Sequence, residues 1–223
     1  MKGTLYGVGV GPGDPELMTL KALRIINEAR VIAAPEAGVA IEIASKAADL
    51  RGKELLRLHL PMTRDRAELD ASHDEAAAAI IGKLDAGSDV AFLTLGDPSI
   101  YSTFSYIQRR VMKAGHQTRM AEGITSFCAA AARLNEPLCE GQEALHIVPA
   151  SCTATDCLSM PGTKVLMKAG KALAAVKASL KDAGLAGKAA MVERCGMENE
   201  RICRDLDETP DEAGYFSIII VRE

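Results

Sequence analysis

Apolar and polar positions alternate between two regimes along the chain: short apolar runs, and longer stretches in which apolar residues return at helical spacing. Residues 5–10 form an apolar run that stops at the turn Gly11-Pro12-Gly13-Asp14-Pro15, which predicts a strand and a tight exit. Behind that turn, Ala22, Ile25, Ile26 and Ala29 recur at helical spacing, with Thr19 as the N-cap, and predict a helix over 21–29. The same reading gives strands at 30–34, 55–58, 90–95 and 117–121. It gives helices at 41–48, 64–86 and 101–114. Strand and helix in strict alternation predict a mostly parallel sheet with crossover helices.

The pattern changes at Glu122-Gly123-Ile124. An Ala-rich helix over 125–134 follows, then strands at 145–149, 164–168, 189–194 and 215–221, with a helix over 172–183. Turn residues between the late strands (Gly196, Pro210, Gly214) favour a mixed second sheet. The expected organisation is two α/β domains, residues 1–121 and 122–223, with no internal repeat.

Composition narrows the function. The chain has 223 residues, no Trp, four Phe, four Tyr and a net charge of -4, which disfavours an aromatic stacking platform or a broad basic surface for nucleic acid. No apolar run reaches bilayer-spanning length, and residues 1–7 lack the pattern of a signal peptide, so the expected location is the cytoplasm. None of the six cysteines (128, 139, 152, 157, 195, 203) forms a C-x-x-C pair, so reduced and dispensable thiols are expected. Cys152 and Cys157 lie near His146, but their spacing matches no zinc motif and no metal is expected.

Three loops carry the candidate chemistry. Gly7-Val8-Gly9-Val10-Gly11-Pro12-Gly13 fails the dinucleotide fingerprint, because the third glycine of G-x-G-x-x-G falls on Pro12 or Asp14. A nicotinamide oxidoreductase is thereby disfavoured. Leu95-Gly96-Asp97-Pro98-Ser99-Ile100-Tyr101 follows a strand at the end where α/β sheets bind ligands. Gly96 allows close backbone approach. Asp97 is able to accept from a ribose or an ammonium, or simply to cap the next helix. Glu122-Gly123-Ile124-Thr125-Ser126 alone reads as an ordinary cap.

In this order and spacing, G-x-G-P-G-D-P with Thr19-Leu20-Lys21-Ala22, then G-D-P-x-x-Y, then G-I-T-S, the chain resembles the tetrapyrrole methylases from about residue 3 to residue 222. Val165-Leu166-Met167-Lys168 and Val192-Glu193-Arg194-Cys195-Gly196 extend the resemblance. It implies two α/β domains with a cleft between them, a homodimer, and S-adenosylmethionine as methyl donor. The donor contacts it implies are Pro12, Leu95, Gly96, Asp97, Ile100, Tyr101, Thr125, Ser126, Met167 and Cys195. Sirohaem-forming relatives have glycine at the Cys195 position, which implies a backbone contact there.

Three segments, Leu60-Pro61-Met62-Thr63-Arg64-Asp65, residues 93–103 and Leu145-His146-Ile147-Val148-Pro149-Ala150, resemble the branch that methylates carbon-20 of precorrin-2 or its cobalt complex. The alternatives are a same-family methyltransferase with another tetrapyrrole or a protein or RNA target, or a non-catalytic donor-binding module. Sirohaem-forming relatives place an acidic residue after the second strand. Here that place holds Ala34-Pro35, with Glu36 next as the candidate base, and no catalytic residue is assigned. A polycarboxylate substrate needs cations. Among Arg64, Arg66, Arg109 and Arg110, Arg64 is favoured because it lies in a branch-like segment. His59 and His146 read as structural.

Overall fold

In the computed structural model, residues 2–150, 155–207, 209 and 211–222 are described. The first unit runs to Thr125. Its elements are β1 (Thr4–Gly9), α1 (Leu20–Glu28), β2 (Val31–Pro35), α2 (Val39–Ala47), β3 (Glu54–Leu58), α3 (Arg66–Asp85), β4 (Val90–Thr94), α4 (Phe104–Lys113) and β5 (Gln117–Ala121). The strands form one sheet in the order β3-β2-β4-β1-β5, and every pair is parallel. Central β4 is buried at all five positions, as helices on both faces of a parallel sheet require. Edge strands β3 and β5 carry the polar residues. Phe92 and Phe104 meet in the core with Leu5, Ile80, Leu84 and Ile107.

This order fixes where a ligand can sit. The connection after β1 leads to β2 on one side, and the connection after β4 leads to β5 on the other. The chain therefore reverses direction between β1 and β4, and open α/β sheets bind ligands beyond the carboxyl ends at such a point.

The second unit starts at Ser126. It comprises α5 (Ser126–Leu134), β6 (Leu145–Pro149), α6 (Thr155–Leu158), β7 (Thr163–Met167), α7 (Leu173–Asp182), β8 (Ala189–Glu193), β9 (Arg201–Cys203) and β10 (Ser217–Val221). The sheet is mixed, in the order β6-β7-β10-β8-β9. Only β6 and β7 pair in parallel, while β10 runs antiparallel to both β7 and β8. Among the described residues no helix is long and apolar enough to cross a membrane.

Most element ends lie within two residues of the sequence reading, and three differences have a clear local cause. The division falls after Thr125, not after residue 121, because the intervening segment is bonded into the first unit. Lys21 pairs with Glu122 at 2.7 Å, and Thr19 Oγ1 donates to the Glu122 carbonyl at 3.1 Å. Helix α3 begins at Arg66 rather than 64, because Asp65 caps it by accepting from the Ala67 and Glu68 amides. Helix α4 begins at Phe104 rather than 101. Tyr101 adopts a left-handed backbone, and Ser102 Oγ accepts from the Phe104 amide.

Candidate active site

At the carboxyl edge of the first sheet, the loops after β1, β4 and β5 touch through bare backbone. The Val10 amide donates to the Thr94 carbonyl at 2.9 Å, and the Gly96 amide to the Gly11 carbonyl at 2.7 Å. A Cβ at Gly9 would lie 2.5 Å from the Gly96 carbonyl oxygen, and one at Gly123 would lie 2.0 Å from it. Only glycine at both positions permits this packing. Gly96 itself has φ +73°, and the space beside its Cα is open, with only the Ile124 carbonyl at 3.9 Å.

Asp97 ties two of these loops together. Its Oδ1 accepts from the amide and hydroxyl of Ser99, and its Oδ2 accepts from the Gly123 amide at 2.9 Å. Burial acts to raise its pKa, but the hydrogen bonds from Ser99 and Gly123 outweigh it and hold the carboxyl below the usual range. Asp97 is thus ionised near neutrality, and both oxygens already serve the loops. Oδ1 is filled by its two Ser99 donors, whereas Oδ2 retains acceptor capacity for a further donor.

The other first-unit residues implicated by sequence lie along these loops. Pro12 and Gly96 are buried, Leu95 and Ile100 half-buried, and Tyr101 exposed. Thr125 presents a hydroxyl shielded from solvent that has no hydrogen-bond partner among the described residues. Buried polar atoms are almost always satisfied, so this unpaired hydroxyl is an exception.

Beyond β2 and β3 the parallel register sets Glu36 beside His59. Pro35 and Leu58 are partners, and the Glu36 amide donates to the Leu58 carbonyl at 3.0 Å. His59 Nδ1 lies 3.0 Å from Glu36 Oε2, and this hydrogen bond raises the imidazole pKa. The carboxylate weighed as a base is therefore engaged with a histidine. Arg64 is exposed in the loop before Asp65 and forms no ion pair among the described residues. Arg110, by contrast, pairs with Asp74 at 2.5 Å and Asp70 at 3.2 Å, so its charge is already engaged. Arg109 lies over the Tyr106 ring.

In the second unit the register groups the remaining residues. Met167, which ends β7, pairs with Ile218, and Ile218 also pairs with Val192 of β8. Strands β7 and β8 thus end at the same sheet edge, and Cys195 follows just beyond β8. Both exits pass through left-handed residues, Lys168 (φ 61°) and Arg194 (φ 53°). Met167 and Cys195 are buried, and Ser126 opens α5. His146 Nε2 donates to the Pro161 carbonyl at 2.9 Å, a structural use.

The sequence reading gave no role to Glu193 or Ser217, which bond the turns around β7, β8 and β10. A visible signal was Ser217, a polar residue opening an otherwise apolar Ile-Ile-Ile-Val strand. No group of three or more His, Cys, Asp or Glu suited to a metal ion occurs among the described residues. Cys152, considered with Cys157, lies outside them.

Residues 4–209 match the family described as Tetrapyrrole (Corrin/Porphyrin) Methylases. The cobalt-precorrin-2 C(20)-methyltransferase of Salmonella typhimurium is 34% identical over 235 residues, spanning 100% of this chain and 98% of that protein. The precorrin-2 C(20)-methyltransferase of Sinorhizobium sp is 29% identical, spanning 98% of this chain and 95% of that protein. The uroporphyrin-III C-methyltransferase of Thermus thermophilus, complexed with S-adenyl homocysteine, shares the fold with a TM-score of 0.73. Its identity is 21%, over 99% of this chain and 92% of that one.

Proposed function

Because the chain belongs to the tetrapyrrole methylase family, we propose that it methylates carbon-20 of precorrin-2 or its cobalt complex, on the route to the corrin ring, with S-adenosylmethionine as donor. The observation that carries this reading is the end-to-end likeness to a C(20)-methyltransferase at 34% identity. The site chemistry supports it. The orphaned Thr125 hydroxyl and the open backbone at Gly96 suit a ligand that offers polar groups and lies flat against the chain.

When bound, the donor supplies a methyl group on a positively charged sulfur, already electrophilic. The protein's task is to bind, align and exclude water. The glycine-packed loops brace one another backbone to backbone, an arrangement suited to holding a donor without rearrangement. Positioning two reactants in this way contributes about 7–11 kcal/mol at best. Pro12, Leu95, Gly96, Asp97, Ile100, Tyr101 and Thr125 in the first unit, and Ser126, Met167 and Cys195 in the second, are the proposed donor contacts. Arg64, exposed and without a carboxylate partner among the described residues, is the proposed cation for a substrate carboxylate. A homodimer, as the resemblance implies, and a cytoplasmic location complete the reading.

Incubation with methyl-labelled donor tests the proposal. Label is expected in the tetrapyrrole, and no transfer to either form of precorrin-2 would defeat it.

A further inference from the structure

Glu193 ends β8, and its side chain is only 12% exposed. One carboxylate oxygen accepts from the Gly214 amide. The other pairs with Arg201 Nη2 at 2.8 Å, and the same guanidinium nitrogen donates to the Glu212 carbonyl at 3.1 Å. The bonding continues beyond the turn. The Ser217 hydroxyl donates to the Gly214 carbonyl at 3.0 Å and accepts from the Gly170 amide at 3.0 Å. Hydrogen bonds on both sides of Gly214 therefore link the end of β8, through the turn before β10, to the segment just after β7. Met167 and Cys195 sit on the two exits that these bonds join.

The contact is tight. A Cβ at Gly214 would stand 2.7 Å from Glu193 Oε1, so the carboxylate lies directly on the turn's backbone. A carboxylate only 12% exposed, with charge-assisted partners on two sides, is costly to leave unpaired, and its partial shielding from water strengthens the bonds it makes. We infer that Glu193 is a positioning residue for the methyl donor: it fixes the backbone after β7 and β8 at the spacing that Met167 and Cys195 need to hold that donor. This inference rests on the reading of Met167 and Cys195 as donor contacts. Glu193 touches no reacting atom, so its effect falls on donor binding rather than on the tetrapyrrole.

The experiment compares wild type, Glu193→Ala and Gly214→Ala for S-adenosylhomocysteine binding by calorimetry and for the KM of each substrate. The expected result in both variants is a donor Kd and KM raised about tenfold or more, with the tetrapyrrole KM within about twofold of wild type. Gly214→Ala keeps Arg201 and Glu193 but displaces the carboxylate, and it stands in if Glu193→Ala does not fold. Glu193→Gln, which retains an acceptor for the Gly214 amide, is expected to recover most of the donor affinity. Unchanged donor affinity in folded variants, or equal losses for both substrates, would overturn the inference. A Cys195→Trp enzyme tests the underlying reading separately: undiminished donor binding there would remove Cys195 as a contact, whatever Glu193 does.

Discussion

The Asp97 carboxylate accepts the Gly123 amide at 2.9 Å across 26 residues of sequence, joining the loop after β4 to the loop after β5. Removing it affects more than a ligand contact. Asp97→Ala leaves the Gly123 amide without its acceptor, which costs about 1–3 kcal/mol of stability, and it weakens donor binding as the loops part. Thermal melts and calorimetry with S-adenosylhomocysteine measure the two effects. Full stability together with normal donor affinity would remove Asp97 from both roles. The pKa direction adds a check. The folded value lies below the unfolded one, so the stabilisation is present above about pH 3.8 and is lost as pH falls through the folded value. Asp97→Ala should flatten that acid limb.

Gly96 separates space from strain. Its φ of +73° makes any side chain pay the left-handed penalty, about 1–2 kcal/mol, while the nearest atom to an added Cβ is 3.9 Å away. Gly96→Val should therefore fold with a modest loss of melting temperature but lose donor affinity by about tenfold or more, because the side chain fills the open space. A variant that binds donor normally would show that nothing lies against this backbone.

His59 and Glu36 give a pH signature. Their hydrogen bond raises the His59 pKa, so NMR titration should place its midpoint above 6.5, and Glu36→Gln should lower it. The stabilisation from this pair is complete below the unfolded histidine value and fades as pH rises through the raised folded value. A midpoint unmoved by Glu36→Gln would show that the pair does not persist in solution.

Arg64 carries the substrate-charge prediction. On a chain of net charge -4, long-range attraction does not draw in a polycarboxylate, so binding rests on local cations. Loss of one charge-assisted contact is worth about 1.5–3 kcal/mol, a tenfold to hundredfold rise in tetrapyrrole KM for Arg64→Ala. Donor affinity should hold, and added salt should raise the wild-type KM more than the variant's. Normal tetrapyrrole kinetics in the variant would leave Arg64 as a solvated loop residue.

What the sequence revealed follows from the range of the interactions involved. Strand β4 was legible because the apolar run Val90-Ala91-Phe92-Leu93 comes just before Gly-Asp-Pro, a local stop. The Thr19 cap was legible because it acts within one turn, accepting from the Ala22 amide. Strand β9 was not, since Arg201-Ile202-Cys203 is three residues of a half-exposed edge with no pattern of its own. The site's construction was least legible. The use of Asp97 as a tie depends on Gly123, the Glu36–His59 pair depends on sheet register, and Glu193 depends on a turn 21 residues later. The glycines were visible, but the reason for Gly9 and Gly123, a shared contact with the Gly96 carbonyl, required the folded loops.

The central claim is carbon-20 methylation, and one measurement addresses it directly. The purified chain is incubated with S-adenosylmethionine carrying a 13C-methyl group and, separately, with precorrin-2 and cobalt-precorrin-2, and each product is examined by mass spectrometry and 13C NMR. The account predicts one added methyl group, at carbon-20, in at least one of the two tetrapyrroles. A methyl group at any other ring position, or none in either tetrapyrrole despite bound donor, would contradict it.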